Sequence, residues 1–301
     1  MNLEAFKKAL FENNTEYREN EPMSLHTTFK IGGVADVFVY PENSEEIKTV
    51  LSLAKRHGVP YFVIGRGSDL LVSDNGIRGA VISLSKLNGI TAESENIICK
   101  AGAALSKVCI KALDAGLSGL EFAYGIPGSV GGALYMNAGA YGGEMSDVVV
   151  GAYCIDKNGK DIYIGADDMK LGYRSSVFKE NEFIITEAVL KLKHGEKGKI
   201  KSEMEEFLAR RASKQPLEYP SAGSTFKRPQ GYYAGALIEK NGLKGISVGN
   251  AQVSEKHAGF IINKGSATAA DVKNLIDTVS EKVFEGDGVK LEPEVIFVGE
   301  F

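Results

Sequence analysis

Apolar residues recur at spacings of three and four in four segments of the chain, and this period predicts four amphipathic helices. The first has clear ends, because Asn43 can cap it with Glu46 three residues later and Gly58 follows its basic last turn. The fourth begins at a capping pair, Thr268 and Asp271. The four apolar faces consist of Ile47, Val50, Leu51 and Ala54; of Leu105, Val108, Cys109, Ala112 and Leu113; of Ile200, Met204, Phe207 and Leu208; and of Val272, Leu275, Ile276, Val279 and Val283.

Short runs of β-branched and aromatic residues lie between these helices and predict strands, since each run is bounded by Gly, Pro, Asn or Asp. The runs are 34–40, 61–64, 80–84, 97–100, 148–155, 183–193, 260–262 and 295–298. Helices and strands are mixed along the chain, so the predicted fold class is α+β. A polar stretch at 194–199 precedes the third helix and predicts a domain boundary near residue 198.

The length of 301 residues suits two domains, and a content of 44% apolar and 25% charged residues is typical of a globular protein. A net charge of -4 provides no cationic field for nucleic acid, which we therefore exclude as a partner. No apolar run reaches the roughly 18 to 20 residues of a membrane helix, and the N-terminus lacks a secretory signal, so we expect no membrane insertion and a cytoplasmic location. The cysteines Cys99, Cys109 and Cys154 have no metal-ligand spacing, and we expect buried thiols and no metal site.

The first of two glycine-rich segments follows the strand predicted at 61–64. Gly65, Arg66, Gly67, Ser68 and Asp69 form a turn whose peptide N–H groups can converge on an anion, which suggests a phosphate-binding loop. The segment is not a Rossmann fingerprint, because the third glycine and an acid about 20 residues further on are missing. A tight turn without a ligand explains this segment equally well.

The second glycine-rich segment contains seven glycines between residues 125 and 143. Such a density is expected where the backbone closely approaches a flat ligand or a pyrophosphate. The alternative is a flexible linker, but Phe122, Tyr124, Leu134 and further apolar residues provide too much apolar surface for a solvated tether.

Several motifs together resemble one protein family. Gly65-Arg-Gly-Ser-Asp-Leu-Leu-Val, Gly125-Ile-Pro-Gly-Ser-Val-Gly-Gly-Ala and Asn137-Ala-Gly-Ala-Tyr-Gly are similar to the FAD-binding region of the UDP-N-acetylenolpyruvoylglucosamine reductase (MurB) family. Tyr173-Arg174-Ser-Ser, Ser221-Ala-Gly-Ser224 and Leu291-Glu-Pro-Glu294-Val resemble the three catalytic motifs of that family, in the same order. Each motif is modest alone, but together they span most of the chain.

The resemblance implies a two-lobed FAD-binding domain of the PCMH/vanillyl-alcohol-oxidase type over 1–198, with lobes at 1–84 and 85–198, and a C-terminal α+β substrate-binding domain over 199–301. It also implies non-covalent FAD as the cofactor and NADPH as the reductant. The family reaction reduces UDP-N-acetylglucosamine enolpyruvate to UDP-N-acetylmuramate in peptidoglycan synthesis. The residues that the resemblance assigns to FAD are Gly65, Arg66, Gly67, Ser68, Asp69, Tyr124, Gly125, Pro127, Gly128, Ser129, Gly131, Gly132, Asn137 and Gly139.

The resemblance also implies three catalytic residues. In the family, reduced FAD delivers hydride to the vinyl carbon, so the site needs a cation for the enolic intermediate and a proton donor for the α carbon. Arg174 matches the cation, Ser224 matches the proton donor, and Glu294 matches the acid that assists enol stabilisation or proton delivery. Strand alternation places Glu292 and Glu294 on the same face, so a contribution from Glu292 stays open.

Lys214, Arg228 and His257 are further candidates for contacts with the small-molecule substrate. Lys214 and Arg228 flank the Ser224 motif and suit UDP phosphates or the substrate carboxylate, although many family members have Asn in place of Arg228. His257 is either a substrate contact or a structural, hydrogen-bonded histidine. The interval between Arg174 and the helix at Ile200 is short and has no Tyr, as in the type II form that lacks a tyrosine lid.

Two alternatives belong to other functional classes. A PCMH-type FAD-dependent oxidase of sugars or alcohols often binds FAD covalently through His or Cys near the phosphate loop, and residues 65–69 contain neither. A non-catalytic flavin-binding or nucleotide-binding module would leave the Arg174, Ser224 and Glu294 motifs without a joint purpose. The expected partners are the sugar nucleotide and NADPH, with no obligatory protein partner.

Overall fold

The computed structural model describes residues 1–301, which form eight α-helices and eighteen strands. The helices are α1 (Leu3–Glu12), α2 (Ser44–His57), α3 (Leu105–Ala115), α4 (Val130–Tyr135), α5 (Val177–Glu180), α6 (Lys197–Lys214), α7 (Ala234–Lys240) and α8 (Ala269–Asp287). The strands are β1 (Tyr17–Pro22), β2 (Val34–Val39), β3 (Tyr61–Ile64), β4 (Leu70–Val72), β5 (Ile77–Ser83), β6 (Ile90–Glu93), β7 (Asn96–Lys100), β8 (Leu117–Ser118), β9 (Gly139–Ala140), β10 (Gly143–Glu144), β11 (Val149–Ile155), β12 (Asp161–Gly165), β13 (Ile184–Lys191), β14 (Lys193–His194), β15 (Ser247–Val248), β16 (Ala251–Val253), β17 (Ile261–Asn263) and β18 (Ile296–Val298).

The four predicted helices are confirmed as α2, α3, α6 and α8, and the predicted strands are confirmed with small shifts at their ends. The Asn43 side chain accepts a 2.9 Å hydrogen bond from the Glu46 N–H, and Gly58 adopts the left-handed conformation that ends α2. Thr268 and Asp271 form the reciprocal capping box of α8. The apolar face of α6 is narrower than predicted, because 40% of Leu208 is exposed.

The chain forms two compact units, and each unit has its own hydrophobic core. Unit 1 comprises Met1–Glu19, Val37–Arg66 and Gly79–Arg210, and unit 2 comprises Asn20–Asp36, Gly67–Arg78 and Arg211–Phe301. The predicted division into domains near residue 198 stays a prediction.

Unit 1 contains a five-stranded sheet with the order β12-β11-β13-β7-β6, in which neighbouring strands are antiparallel. A second sheet has the order β1-β2-β5-β3, and its strands β1, β2 and β5 each contain a boundary between the units. Strands β3 and β5 are parallel, with Ile64 opposite Ser83. Strand β3 ends at Ile64, directly before Gly65, the first glycine of the predicted phosphate loop.

Unit 2 contains the three-stranded antiparallel sheet β15-β16-β17 and the parallel pair β18-β4. Helix α8 provides six buried apolar side chains of the core of unit 2: Ala269, Val272, Leu275, Ile276, Val279 and Val283. Asp74 accepts hydrogen bonds from the Ala269 and Ala270 N–H groups, which ties the N-terminus of α8 to the segment after β4.

The three cysteines are buried and free, as the sequence predicts. Burial raises the pKa of the thiols of Cys99, Cys109 and Cys154 to about 12 in each case, so they are protonated at neutral pH. No helix in the structure combines the length and the apolar character needed to cross a bilayer.

Candidate active site

The two glycine-rich segments meet within unit 1 at Gly65 and Ser129. A Cβ atom on Gly65 would lie 2.3 Å from the Oγ of Ser129, so a side chain at position 65 would displace the Ser129 hydroxyl. Ser129 is buried, and its Oγ accepts a 3.4 Å hydrogen bond from the Gly132 N–H at the N-terminus of α4. The start of the predicted phosphate loop therefore packs against the cap of the helix in the second segment.

Backbone hydrogen bonds hold the second glycine-rich segment against the segment before α3. The N–H groups of Val130 and Gly131 donate to the carbonyl oxygens of Ala103 and Ala101, and the Leu105 N–H donates to the carbonyl of Gly128. A Cβ on Gly131 would lie 3.0 Å from the Cβ of Ala101. The segment is an ordered part of unit 1, which excludes the flexible linker considered from its composition.

Asn137 follows α4 and carries a buried donor without a partner. Its backbone is left-handed, with a φ of 43°, and its Oδ1 accepts a 2.9 Å hydrogen bond from the Ser146 N–H. The residue is 1% exposed, and its Nδ2 has no hydrogen-bond partner within the protein. An unpaired buried donor costs about 1 to 3 kcal/mol, so this amide is suited to an acceptor on a ligand.

The hairpin of β9 and β10, which begins two residues after Asn137, packs against helix α6. Strands β9 and β10 pair through Gly139 and Glu144, and the Tyr141 ring at the tip stacks on Phe207 with centroids 4.6 Å apart. The Arg210 guanidinium lies 5.1 Å from the centroid of the Tyr141 ring. These contacts hold the end of the second glycine-rich segment in place.

Arg174 lies in a strained turn of unit 1. Gly172 and Ser175 exchange backbone hydrogen bonds of 3.1 and 3.2 Å, and Arg174 has a φ of 56°, a region that non-glycine residues avoid. Its guanidinium is centred 5.0 Å from the ring centroid of Tyr173. Ser176 is buried and donates a 2.8 Å hydrogen bond to the carbonyl of Tyr135, which anchors this turn to the end of α4.

Ser224 lies in unit 2, exposed, on a loop whose backbone is fixed directly after it. The Thr225 N–H donates to the Gly259 carbonyl at 2.8 Å, and the Oγ1 of Thr225 accepts a 3.0 Å hydrogen bond from the Ile261 N–H. Gly223, directly before Ser224, has a φ of 77° and open space beside it. The hydroxyl is thus open to solvent on a well-anchored backbone.

The two acids of the last motif have different environments in unit 2. The Glu294 N–H donates a 2.8 Å hydrogen bond to the carbonyl of Thr225, and Glu294 is half-buried. Glu292 has 65% of its side chain exposed and forms an ion pair with Lys227 at 3.3 Å. The backbone of Glu294 is thus bonded to the Ser224 loop, whereas the side chain of Glu292 is exposed and pairs with Lys227.

The three further candidates are also in unit 2. Lys214 is the exposed last residue of α6, and the exposed Arg228 places its guanidinium 4.0 Å from the ring centroid of Tyr233. His257 is half-buried, its Nδ1 accepts a 3.1 Å hydrogen bond from the Gly259 N–H, and burial lowers its pKa. His257 is therefore hydrogen-bonded to the same residue whose carbonyl anchors Thr225.

The remaining predicted cofactor residues are distributed over both units. Unit 1 contains Arg66, Tyr124, Gly125, Pro127, Gly128, Gly131, Gly132 and Gly139, and unit 2 contains Gly67, Ser68 and Asp69. Gly67 has a φ of 58°, and a Cβ there would lie 2.1 Å from the carbonyl oxygen of His26, so this position also requires glycine.

Sequence reasoning missed three residues that organise these loops: Thr28, Ser176 and Asn263. Ser176 lies in the Tyr-Arg-Ser-Ser motif, two residues after Arg174, and this position in the sequence could have identified it as a support for Arg174. Thr28 and Asn263 hydrogen-bond to carbonyls 193 and 234 residues away, and no periodicity or local motif reports such pairs.

Two family models match the chain. The model described as UDP-N-acetylenolpyruvoylglucosamine reductase, C-terminal domain, matches residues 215–298, and the model described as FAD binding domain matches residues 35–164. Two curated relatives carry the name UDP-N-acetylenolpyruvoylglucosamine reductase. That of Clostridium novyi is 50% identical over 95% of this chain and 93% of its own, and that of Clostridium tetani is 50% identical over 98% of this chain and 97% of its own.

Two solved structures are similar to this chain to different extents. The crystal structure of UDP-N-acetylenolpyruvylglucosamine reductase (MurB) from Thermus caldophilus is 36% identical, with a TM-score of 0.81 over 95% of this chain and 99% of that chain. A variant of BBE-like 1 from Physcomitrella patens is 15% identical, with a TM-score of 0.50 over 63% of this chain and 44% of that chain. The second likeness shows a shared fold alone.

Proposed function

The chain belongs to the UDP-N-acetylenolpyruvoylglucosamine reductase (MurB) family, and on this premise we propose that Arg174, Ser224 and Glu294 are its catalytic residues. The protein is a flavoenzyme that reduces the enolpyruvyl ether of UDP-N-acetylglucosamine in peptidoglycan synthesis. Its cofactor is FAD, and its reductant is NADPH. The fold is the FAD-binding PCMH type followed by the C-terminal domain of the family.

We further propose the domain bounds, the cellular location and the partners of the protein. Residues 1–198 form the FAD-binding domain and residues 199–301 the substrate-binding domain, which the family-model matches at 35–164 and 215–298 support. The protein acts in the cytoplasm on two small molecules, NADPH and the sugar nucleotide, without an obligatory protein partner.

The residues of the glycine-rich segments fit a flavin dinucleotide. FAD carries carbonyl and diphosphate oxygens, and the buried Nδ2 of Asn137 is a donor that needs an acceptor. Gly65 and Gly67 allow the turn to pack closely against Ser129 and His26, which a Cβ would hinder, and the peptide N–H groups of this turn are the donors that we assign to the diphosphate. We assign the fourteen cofactor residues to FAD on this basis, with non-covalent attachment because residues 65–69 contain neither His nor Cys.

FAD, when bound, supplies the hydride transfer that no side chain can perform. Addition of hydride to the vinyl carbon moves negative charge onto the α carbon and the adjacent carboxylate of the substrate. Arg174 stabilises this charge, because its guanidinium stays protonated and can donate two parallel hydrogen bonds to a carboxylate. Its turn holds Arg174 at a positive φ, a strained backbone of the kind that often lies at active sites.

Ser224 then delivers the proton to the α carbon. A serine hydroxyl is a weak acid, so it acts only on a strongly basic enolic carbon and with assistance from a neighbouring group. Glu294 is the group that we assign to this assistance, since its backbone is bonded to Thr225. The observation that carries the proposal is this anchored loop: Thr225 is bonded to Gly259 and Glu294, while Ser224 directly before it is exposed.

Substrate contacts are proposed for Lys214, Arg228 and His257. Lys214 is an exposed cation at the end of α6 and suits a phosphate or carboxylate of the substrate. Arg228 lies against the ring of Tyr233, which restricts its guanidinium. His257 is uncharged at neutral pH because burial lowers its pKa, so its contribution is a hydrogen bond rather than a charge.

The oxidase alternative is supported by the fold alone. The likeness to BBE-like 1 covers 63% of the chain at 15% identity, whereas the relatives named as reductases cover nearly the whole chain. The reductase function is therefore the one that the chain supports best.

An anaerobic spectrum of the purified protein tests this function. NADPH is added until the flavin absorbance bleaches, and UDP-N-acetylglucosamine enolpyruvate is then mixed in. Return of the oxidised flavin spectrum without oxygen, with UDP-N-acetylmuramate formed in step, is the expected result. A flavin that reoxidises only when air is admitted would instead indicate an oxidase.

A further inference from the structure

Thr28 connects two predicted functional loops of unit 2 through two hydrogen bonds. Its peptide N–H donates to the carbonyl of Gly67 at 3.2 Å, and its Oγ1 donates to the carbonyl of Ser221 at 2.7 Å. Gly67 belongs to the predicted phosphate loop, and Ser221 begins the motif that contains Ser224. We propose that Thr28 is a positioning residue, whose hydroxyl holds the Ser224 loop in register with the phosphate loop; this inference rests on the proposed role of Ser224.

The segment around Thr28 is rigid enough to act as a support. Thr27 is buried and its Oγ1 donates to the Ile31 carbonyl at 3.0 Å, which closes the turn locally. Phe29 is 1% exposed in the core of unit 2, and its carbonyl accepts a 3.1 Å hydrogen bond from the Nδ2 of Asn263. The Thr28 hydroxyl is therefore presented from backbone that is fixed on both sides.

The Ser224 loop needs this support at its upstream end. Downstream, Thr225 is held by three hydrogen bonds: its N–H donates to the Gly259 carbonyl, its Oγ1 accepts from the Ile261 N–H, and its carbonyl accepts from the Glu294 N–H. Upstream, the Asn263 N–H binds the Pro220 carbonyl at 2.9 Å and the Thr28 hydroxyl binds the Ser221 carbonyl. Between these anchors, Ala222 is buried in the core of unit 2, and Gly223 follows at a φ of 77° with open space beside it, so the residue directly before Ser224 adds no side-chain packing.

Loss of the Thr28 hydroxyl would release one of these anchors while leaving its peptide N–H bond to Gly67. The phosphate loop would keep its contact, and Ser224 would sample a wider range of positions. Proton delivery depends steeply on placement of the donor, because displacements of about 1 Å can lower a rate by about 100-fold. The effect should appear in the step that uses Ser224 and not in flavin reduction.

The test compares Thr28→Val, Thr28→Ser and a matched control, Thr27→Val, in the FAD-loaded enzyme. Thr27→Val removes a neighbouring hydroxyl that bonds only within the turn, to Ile31. Anaerobic stopped-flow measurements give the rate of flavin reduction by NADPH and the rate of reoxidation by UDP-N-acetylglucosamine enolpyruvate. Hydrogen-deuterium exchange of the peptide that contains residues 221–225 gives a second readout, which does not depend on turnover.

We expect Thr28→Val to slow reoxidation by about tenfold, to leave flavin reduction unchanged, and to speed amide exchange in 221–225. Thr28→Ser should restore both the rate and the protection, and Thr27→Val should change both by much less than Thr28→Val, because it leaves the bond from Thr28 to Ser221 in place. Normal reoxidation and normal exchange in folded Thr28→Val would overturn the proposal, and so would an equal loss in Thr27→Val.

Ser224→Ala, measured alongside, separates this inference from the proposed function. Slow reoxidation in Ser224→Ala with a normal rate in Thr28→Val would reject the positioning role alone. Normal reoxidation in Ser224→Ala would reject the proton-donor role on which the inference depends. Thermal unfolding of each variant shows whether a lower reoxidation rate comes from misfolding rather than from displacement of Ser224.

Discussion

The peptide N–H of Glu294 donates a 2.8 Å hydrogen bond to the carbonyl of Thr225, the residue directly after Ser224. Two motifs that are about seventy residues apart in the chain are thereby joined at the backbone. The bond supports the proposed role of Glu294, since the side chain of Glu292 is turned to solvent in an ion pair with Lys227. We therefore expect the chemistry to depend on Glu294 and not on Glu292.

Glu294→Gln should slow reoxidation of the reduced flavin by about 100-fold, because an amide cannot assist proton delivery. Glu292→Gln is the matched control, since it removes the same charge two residues away at an exposed site. Its reoxidation rate should equal that of the wild type, as measured by anaerobic stopped flow. A loss in Glu292→Gln as large as that in Glu294→Gln would show that the assignment is wrong.

Arg174→Gly separates function from stability at the strained turn. Glycine adopts the φ of 56° without steric cost, while the guanidinium is lost. The strain removed and the backbone entropy added are each about 1 kcal/mol, so the free energy of unfolding should change by less than that. Substrate-driven reoxidation should nevertheless fall by at least about 100-fold. Denaturant unfolding checks the predicted stability, and stopped flow checks the predicted reoxidation rate. An unchanged reoxidation rate would remove Arg174 from the site.

Gly65→Ala should weaken FAD binding, because its Cβ would meet the Oγ of Ser129 at 2.3 Å. Gly165→Ala is the control, since that glycine has a negative φ and nothing within 4 Å of its Cβ position. Titration of the apoprotein with FAD, followed by flavin fluorescence, should show at least about a tenfold weaker affinity for Gly65→Ala only. Removal of the Oγ in the double variant Gly65→Ala/Ser129→Ala should recover part of the loss. Wild-type affinity in Gly65→Ala would contradict the role of this contact.

His257 should make stability sensitive to acid. Burial lowers its pKa below the ordinary 6.5, so the folded state favours the neutral ring. The unfolded state then binds a proton first, and the contribution to stability is complete above pH 6.5 and is lost as pH falls through the lower folded pKa. Urea unfolding at a series of pH values should show a shallower loss of stability in His257→Gln than in the wild type. Identical slopes, or an NMR titration of His257 above 6.5, would contradict this expectation.

Strong local signals predicted the elements with clear ends. Helix α2 follows from the apolar period between Asn43 and Gly58, where the cap and the left-handed stop both act as the residue types suggest. Helix α4 was not predicted, because Gly131 and Gly132 lower helix propensity and are typical of a loop. Strand β1 was not predicted either, since Tyr-Arg-Glu-Asn-Glu-Pro has no apolar alternation and pairs at a sheet edge.

The arrangement of the candidate site is less accessible to sequence reasoning. The motifs identified Arg174, Ser224 and Glu294 as residue types in order, but strand alternation did not distinguish Glu292 from Glu294. The family motif points to Glu294, and the backbone bond from Glu294 to Thr225, which supports this choice, is long-range, as are the supports at Thr28 and Asn263. Such contacts depend on the packed fold and leave no periodic pattern in the chain.

The most direct test of the central claim is a single-turnover measurement on Ser224→Ala. The variant is reduced by NADPH without oxygen and mixed with UDP-N-acetylglucosamine enolpyruvate, and flavin absorbance is followed against the wild type. Flavin reduction should proceed at the wild-type rate, whereas reoxidation should be slower by about 100-fold or more, because only that step needs the proton. Wild-type reoxidation in Ser224→Ala, or slow flavin reduction with normal reoxidation, would contradict the account.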